Sequence, residues 1–168
     1  MFFEKMPNMR YNINGSSKAV KDIFLRAGFK SPPVSAYTLE AYYIENGETP
    51  DTIASKFYDN PRHHWIIFIV NNIVNYYDEW PKSNQALIDY VNKKYGASNI
   101  NESHHYVITD SDPSIIVDFD AAKLASNEIS AVSNFDYEAN VNADKSQIFI
   151  VKPQYINTFV KQYRSLFK

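Results

Sequence analysis

Apolar positions recur along the chain with two spacings, and each spacing predicts an element. Near the start, Met9, Tyr11 and Ile13 alternate with Arg10 and Asn12, the period of a short strand, and Asn14-Gly15 signals a turn. Ser16 or Ser17 is placed to cap a helix with Val20, Ile23, Phe24 and Ala27 on one face and Gly28 at its end. Ser31-Pro32-Pro33 reads as a linker. Tyr37 to Ile44 is β-prone, and Asn46-Gly47 turns the chain. Thr49 ahead of Pro50 is an N-cap followed by proline at the first helical position, with Ile53, Ala54 and Phe57 as the apolar face. Asn60-Pro61 repeats the device before a helix carrying Trp65 to Val70, which ends near Asn71-Asn72. After Pro81, the positions Leu87, Ile88, Val91 and Tyr95 predict a longer amphipathic helix closed by Gly96.

Further along, His105 to Thr109 and Ser114 to Phe119 read as two strands of a hairpin around Asp110-Ser111-Asp112-Pro113. Residues Ala121 to Ala143 are small, polar and Asn-rich, and predict nothing definite. Ser146 to Val151 is a strand, and Pro153 opens a terminal helix with Ile156, Phe159, Val160, Tyr163 and Phe167 on one face. The expected fold class is α+β. Its segments are an N-terminal strand–helix arm (1–36), a central strand–helix–helix unit with a following helix (37–96), and a β-rich region ending in a helix (97–168). No internal repeat is visible.

Composition narrows the function classes. The chain has 168 residues, enough for one domain with arms, and no cysteine, which excludes disulfides, thiolate metal sites and a cysteine nucleophile. A net charge of −2 leaves no excess to neutralise phosphates, so nucleic acid is not an expected partner. The opening, Met1 to Pro7, has too short an apolar run for a signal peptide. Trp65 to Val70 is far shorter than the roughly 20 apolar residues of a membrane span, so a soluble chain with no membrane partner is expected. Aromatic residues are abundant (13 Tyr, 11 Phe and 2 Trp), which points towards interfaces.

The stretch Tyr43 to Tyr58, with Gly47-Glu48-Thr49, Ile53-Ala54 and Phe57, resembles the first half of a LysM module, and Trp65, Ile69 and Asn71 or Asn72 match its second helix. No second strand follows directly. The wider run Asn60-Pro61-Arg62-His63-His64-Trp65, then Asn71-Asn72-Ile73 and Tyr76-Tyr77-Asp78-Glu79-Trp80-Pro81, with a helix ending in Lys94-Tyr95, is similar to the baseplate wedge protein 53 family of contractile-tailed (T-even-like) bacteriophages. The resemblance implies a structural, non-enzymatic protein of the virion tail, assembled in the host cytoplasm. It would join neighbouring wedge subunits into a symmetric, multi-subunit baseplate by contacts with other wedge and tail proteins.

The contact residues expected on this reading are Phe2, Phe3, Tyr76, Tyr77, Trp80, Tyr163 and Phe167. The helix Trp65 to Val70 is apolar all round and so must be covered on every side, which points to burial in a larger assembly. Exposed strands such as Ile115 to Phe119 or Ile148 to Val151 are candidates for adding to a partner's sheet. The LysM likeness implies an alternative, a peptidoglycan-binding module that uses Asn46, Glu48, Thr49, Asn71, Asn72 and Ile73.

Other chemistry is weakly signalled. His63-His64 and His104-His105 are adjacent pairs without metal-ligand spacing. The stretch Asp110 to Asp120 lacks the glycine and glutamate of a calcium loop. No nucleophile or phosphate-loop motif occurs, and pairings such as Glu48 with Asp51 or Asp78 read as surface carboxylates. No metal or cofactor is expected.

Overall fold

The computed structural model describes residues 6–22, 38–109 and 115–166. Phe2, Phe3, Phe167, the expected helical face at Ile23, Phe24 and Ala27, and the Asp110–Ser114 turn lie outside the described residues. The fold is α+β, with small antiparallel sheets and short helices. The chain forms two compact units, one gathering Met1–Tyr43, Glu48–Tyr77 and Ile148–Lys168, the other Ile44–Gly47 and Asp78–Gln147.

The first unit begins with a hairpin, β1 (Asn8–Ile13) and β2 (Ser16–Lys21), paired from Asn8↔Lys21 to Ile13↔Ser16. Ser16 and Ser17 therefore open a strand, which corrects the expected helix start. The reason is local. Asn14 and Gly15 both have positive φ (50° and 78°), as a two-residue turn that reverses the chain requires, so the next six residues pair back on β1.

Strand β3 (Leu39–Tyr43) is followed by α1 (Pro50–Tyr58), a 3-10 turn (Pro61–His63) and α2 (His64–Val70). The Thr49 N–H donates to Thr52 Oγ1 at 3.0 Å at the start of α1, and Asn60 Oδ1 accepts from the Arg62 N–H at 3.0 Å. The strand that pairs with β3 is β7 (Gln147–Val151), far along the chain. Backbone bonds from Lys152 N–H to Thr38 O and from Ile44 N–H to Ser146 O, both 2.9 Å, bracket the pair and make it antiparallel. The second strand that the helix pair lacks locally is thus supplied from beyond an intervening stretch. A second 3-10 turn (Pro153–Tyr155) and α7 (Ile156–Ser165) complete the unit.

The core of this unit joins Ile66 of α2, Val151 of β7 and Ile156, Phe159 and Tyr163 of α7, with Leu39, Tyr58, Trp65, Ile69 and Val70 packed around them. Trp65 lies 5.0 Å from the Tyr163 ring centroid and 6.1 Å from Phe159. The all-round apolar α2 is therefore covered largely by its own chain. Ile66 and Ile67 are fully buried and the rest of the helix is half-buried, so its composition needs no partner to explain it.

The second unit carries α4 (Asn84–Tyr95), a three-stranded sheet in which β4 (Ser103–Ile108) lies between β5 (Ile116–Val117) and β6 (Ile129–Ser133), and α6 (Asn134–Asp144). Strands β4 (Ser103–Ile108) and β5 (Ile116–Val117) form the expected hairpin, with Tyr106 opposite Val117. A short helix, α5 (Ala121–Ala125), is capped by Asp120, whose Oδ1 accepts from the Ala122 and Lys123 N–H groups. Strand β6 (Ile129–Ser133) pairs antiparallel with β4. Helix α4 starts at Ser83, whose Oγ accepts from the Ala86 N–H, and stops at Gly96 (φ 87°). Leu87 and Val91 are its buried positions, and Ile88 turns outward. A one-turn helix, α3 (Tyr76–Glu79), stands where the first unit gives way to the second.

Candidate assembly surfaces

The polar positions proposed for sugar are largely occupied within the chain. Glu48 accepts from Tyr42 Oη at 2.7 Å through one carboxylate oxygen and from Lys56 Nζ at 3.4 Å through the other, and Lys56 also donates to Tyr42 Oη. Thr49 donates to Asp51 Oδ1 at 2.6 Å. That bond holds the Asp51 carboxyl below its usual range. Asn46 Oδ1 accepts from the Asn84 N–H at 2.8 Å.

Asn71 does the most. Its Nδ2 donates to Ile67 O and to Phe149 O, both at 2.8 Å, and its Oδ1 accepts from the Phe149 N–H at 2.7 Å. The side-chain amide thus stands in for a neighbouring strand along the edge of β7. Tyr58 Oη closes the next position by accepting from the Val151 N–H at 3.1 Å. Burial pushes the Tyr58 phenol up to about 12, so it stays protonated. Asn72 is exposed at positive φ (54°), and the Ile73 N–H donates to Phe68 O. The β7 edge is consequently filled at Phe149 and Val151, which corrects the expectation that Ile148 to Val151 offers itself to a partner's sheet.

The expected contact residues divide. Tyr77 is 81% exposed, and Tyr76 packs edge-on against it with ring centroids 5.6 Å apart, resting at 6.2 Å on Phe68. Trp80, 3% exposed, and Tyr163, 4% exposed, are interior residues. Their large apolar area is used within the chain, Tyr163 in the core of the first unit, which leaves almost none for a partner.

Two further surfaces are exposed, one expected from the sequence and one missed. The first is the outer edge of β5, where Ile116 is 67% exposed and Phe119, tilted against Tyr106 with centroids 5.1 Å apart, is 59% exposed. The sequence reading named Ile115 to Phe119 as an exposed strand able to add to a partner's sheet, and β5 stands at the end of its sheet. The second is the β1–β2 hairpin, where every residue except half-buried Met9 is exposed. The alternation of Met9, Tyr11 and Ile13 already signalled an apolar strand face; the partner strand carrying Val20 was hidden by the helix reading.

The second unit holds a cavity of about 280 Å³ lined by Lys82, Tyr90, Lys94, Tyr137 and Glu138 among others. Glu138 is buried and accepts from Lys94 Nζ at 2.5 Å and Tyr95 Oη at 2.8 Å. Burial pushes its carboxyl up, but the bonds from Lys94 and Tyr95 outweigh this and hold it below its ordinary range. Its ion pair with Lys94 ties α4 to α6, and Asp78 lines the same cavity. His104 stacks on Tyr137 with centroids 3.9 Å apart and meets His105 Nδ1 to Nδ1 at 2.8 Å. Among the described residues no group of three or more His, Asp or Glu is placed to hold a metal ion. No helix among them is long and apolar enough to cross a membrane.

Comparison with known proteins adds two findings. A family model described as base plate wedge protein 53 matches residues 1–120. The chain is also 28% identical over 155 residues to the baseplate wedge protein gp53 of Enterobacteria phage T4, spanning 83% of this chain and 76% of that protein.

Proposed function

The chain belongs to the base plate wedge protein 53 family and is a structural component of a phage tail baseplate, and from that premise we propose that it joins neighbouring wedge subunits into the baseplate. The observation that carries this reading is the family match over residues 1–120, which takes in both the exposed hairpin and the Tyr76–Tyr77 corner. Its mechanism is burial of exposed apolar surface against other wedge and tail proteins in a symmetric assembly. Tyr77, the outer edge of β5 and the hairpin supply that surface. Assembly takes place in the host cytoplasm, and the protein ends in the virion tail. The peptidoglycan alternative has less support, because Glu48, Thr49, Asn46 and Asn71 are engaged in bonds that hold the fold.

The test is reconstitution. Wedges of the cognate phage, made without this chain, are mixed with the purified protein and sedimented. Incorporation of the chain with closure of wedges into rings is the expected result. Failure of the chain to associate with wedges overturns the reading.

A further inference from the structure

The β1–β2 hairpin is amphipathic. Paired residues of an antiparallel ladder share a face and successive residues alternate. Met9, Tyr11 and Ile13 therefore lie on one face with Val20, Lys18 and Ser16. Asn8, Arg10 and Asn12 lie on the other with Lys21, Ala19 and Ser17. On the apolar face Tyr11 is 53%, Ile13 47% and Val20 42% exposed. Its base is pinned, with Asp22 N–H donating to Pro7 O at 3.0 Å and Lys21 Nζ to Met6 O at 2.8 Å. Among the described residues no further bond of this kind is seen along its length, and every residue of the two strands but Met9 is exposed.

A lone two-stranded hairpin is marginal in water, so an apolar face left open is a face awaiting a cover. Charge indicates which cover. Between Asn8 and Lys21 the chain carries Arg10, Lys18 and Lys21 and no Asp or Glu, whereas the whole chain carries −2. A second copy laid face to face would bring together two hairpins that each carry three cations and no acid, which like-charge repulsion disfavours. Each strand has six residues, so the face is about 20 Å long at ~3.3 Å per residue and two strands wide. That is on the order of 200 Å², against about 800 Å² per partner in a stable interface, so the hairpin can only be one arm of a larger contact.

Resting on the proposed baseplate role, we infer that the β1–β2 hairpin is a docking arm whose Met9, Tyr11, Ile13 and Val20 face seats on a neighbouring baseplate protein, at a surface apolar in its centre and acidic at its rim. Lys18, on the same face, meets the acidic rim and fixes the register, and Arg10 and Lys21, on the opposite face, steer the approach at longer range.

The experiment uses the full chain and wedges assembled without it. Two variants are compared with the wild type, Tyr11→Ser with Val20→Ser, and Arg10→Glu with Lys18→Glu. Incorporation is followed by sedimentation at low and high salt, and amide exchange of β1 and β2 is read before and after assembly. Thermal melts of each variant check that the rest of the chain is folded. The expected result is incorporation about tenfold weaker for the apolar variant, as truncation of interface anchors gives. For the charge-reversed variant, slower incorporation with the salt dependence lost is expected, together with slowed exchange of wild-type hairpin amides on assembly. Wild-type incorporation matched by both variants overturns the docking arm and leaves the baseplate role standing. Failure of the wild type to incorporate overturns both. A dimer of the isolated chain that the apolar variant dissolves assigns the face to a second copy, and overturns the inference.

Discussion

The β1–β2 hairpin and the β3–β7 pair are both two-stranded antiparallel sheets of the same unit, and they are finished in opposite ways. The hairpin closes over a two-residue turn and stays open to solvent on its apolar face. The β3–β7 pair joins segments about a hundred residues apart. Its Ile148, Ile150 and Val151 are buried, and its outer edge is closed by Asn71 and Tyr58. Local turn chemistry is enough to form a pair of strands. What makes one pair part of the core is a helix over its face and a side chain along its edge. The covered pair is thus framework, and the uncovered one is exposed surface, the face proposed above for docking.

Substitutions can break that contrast, and the largest effect is expected in the core. Phe159→Ala removes a fully buried ring from the cluster under α2 and β7 and should cost about 3–5 kcal/mol, read by denaturant unfolding. It should loosen β3–β7 and leave the β1–β2 turn as it is. Next comes Asn71→Ala, which strips the edge of β7 of both bonds to Phe149. A loss of about 1–3 kcal/mol is expected, with faster amide exchange at Phe149. A smaller effect, confined to the hairpin, should follow Gly15→Ala. A side chain at φ 78° costs about 1 kcal/mol, seen as faster exchange in β1 and β2 while the global unfolding midpoint stays put.

Acidity sharpens the comparison between the two units, with a still smaller effect. His63 in the first unit has a buried Nδ1 with no hydrogen-bond partner. Burial, with the Arg164 charge adding to it, holds its imidazole below the usual 6.5. The unfolded chain therefore takes up this proton first, and stability present above pH 6.5 is lost as pH falls through the lowered value. Glu138 in the second unit works in the same direction at lower pH. Its stabilisation is present above the ordinary 4.5 and is lost as pH falls through its depressed value. A pH series of melts should show the first unit weakening at milder acidity, and His63→Gln should flatten that part of the curve.

Much of the framework was legible residue by residue. Thr49-Pro50 and Asn60-Pro61 marked two helical starts, Gly96 marked the end of α4, and the Ile156, Phe159, Val160 and Tyr163 spacing identified the buried face of α7. Several elements were hidden. Strand β6 and helix α6 lie in an Asn-rich stretch of weak periodicity, where the readable signal was Ser133 followed three residues on by Asp136. Ser133 Oγ indeed accepts from the Asp136 N–H at 3.0 Å. Strand β2 was hidden because Ser16 and Ser17 suit a helix start as well as a strand, and only the turn geometry at Asn14-Gly15 decides between them.

The sequence by itself determined the α+β class, the capped helices, the apolar faces and the family to which the chain belongs, because these rest on local spacing and residue identity. Tertiary structure alone decided which faces meet. It brought β7 and α7 onto α2, turning a helix that seemed to need a partner into one its own chain covers. It sent Trp80 and Tyr163 inward, turned Asn71 from a candidate ligand group into an edge seal, and left the hairpin bare. The physical reason is that apolar burial has no direction along the chain: the pattern shows that a face must be covered, and only the packed fold shows what covers it.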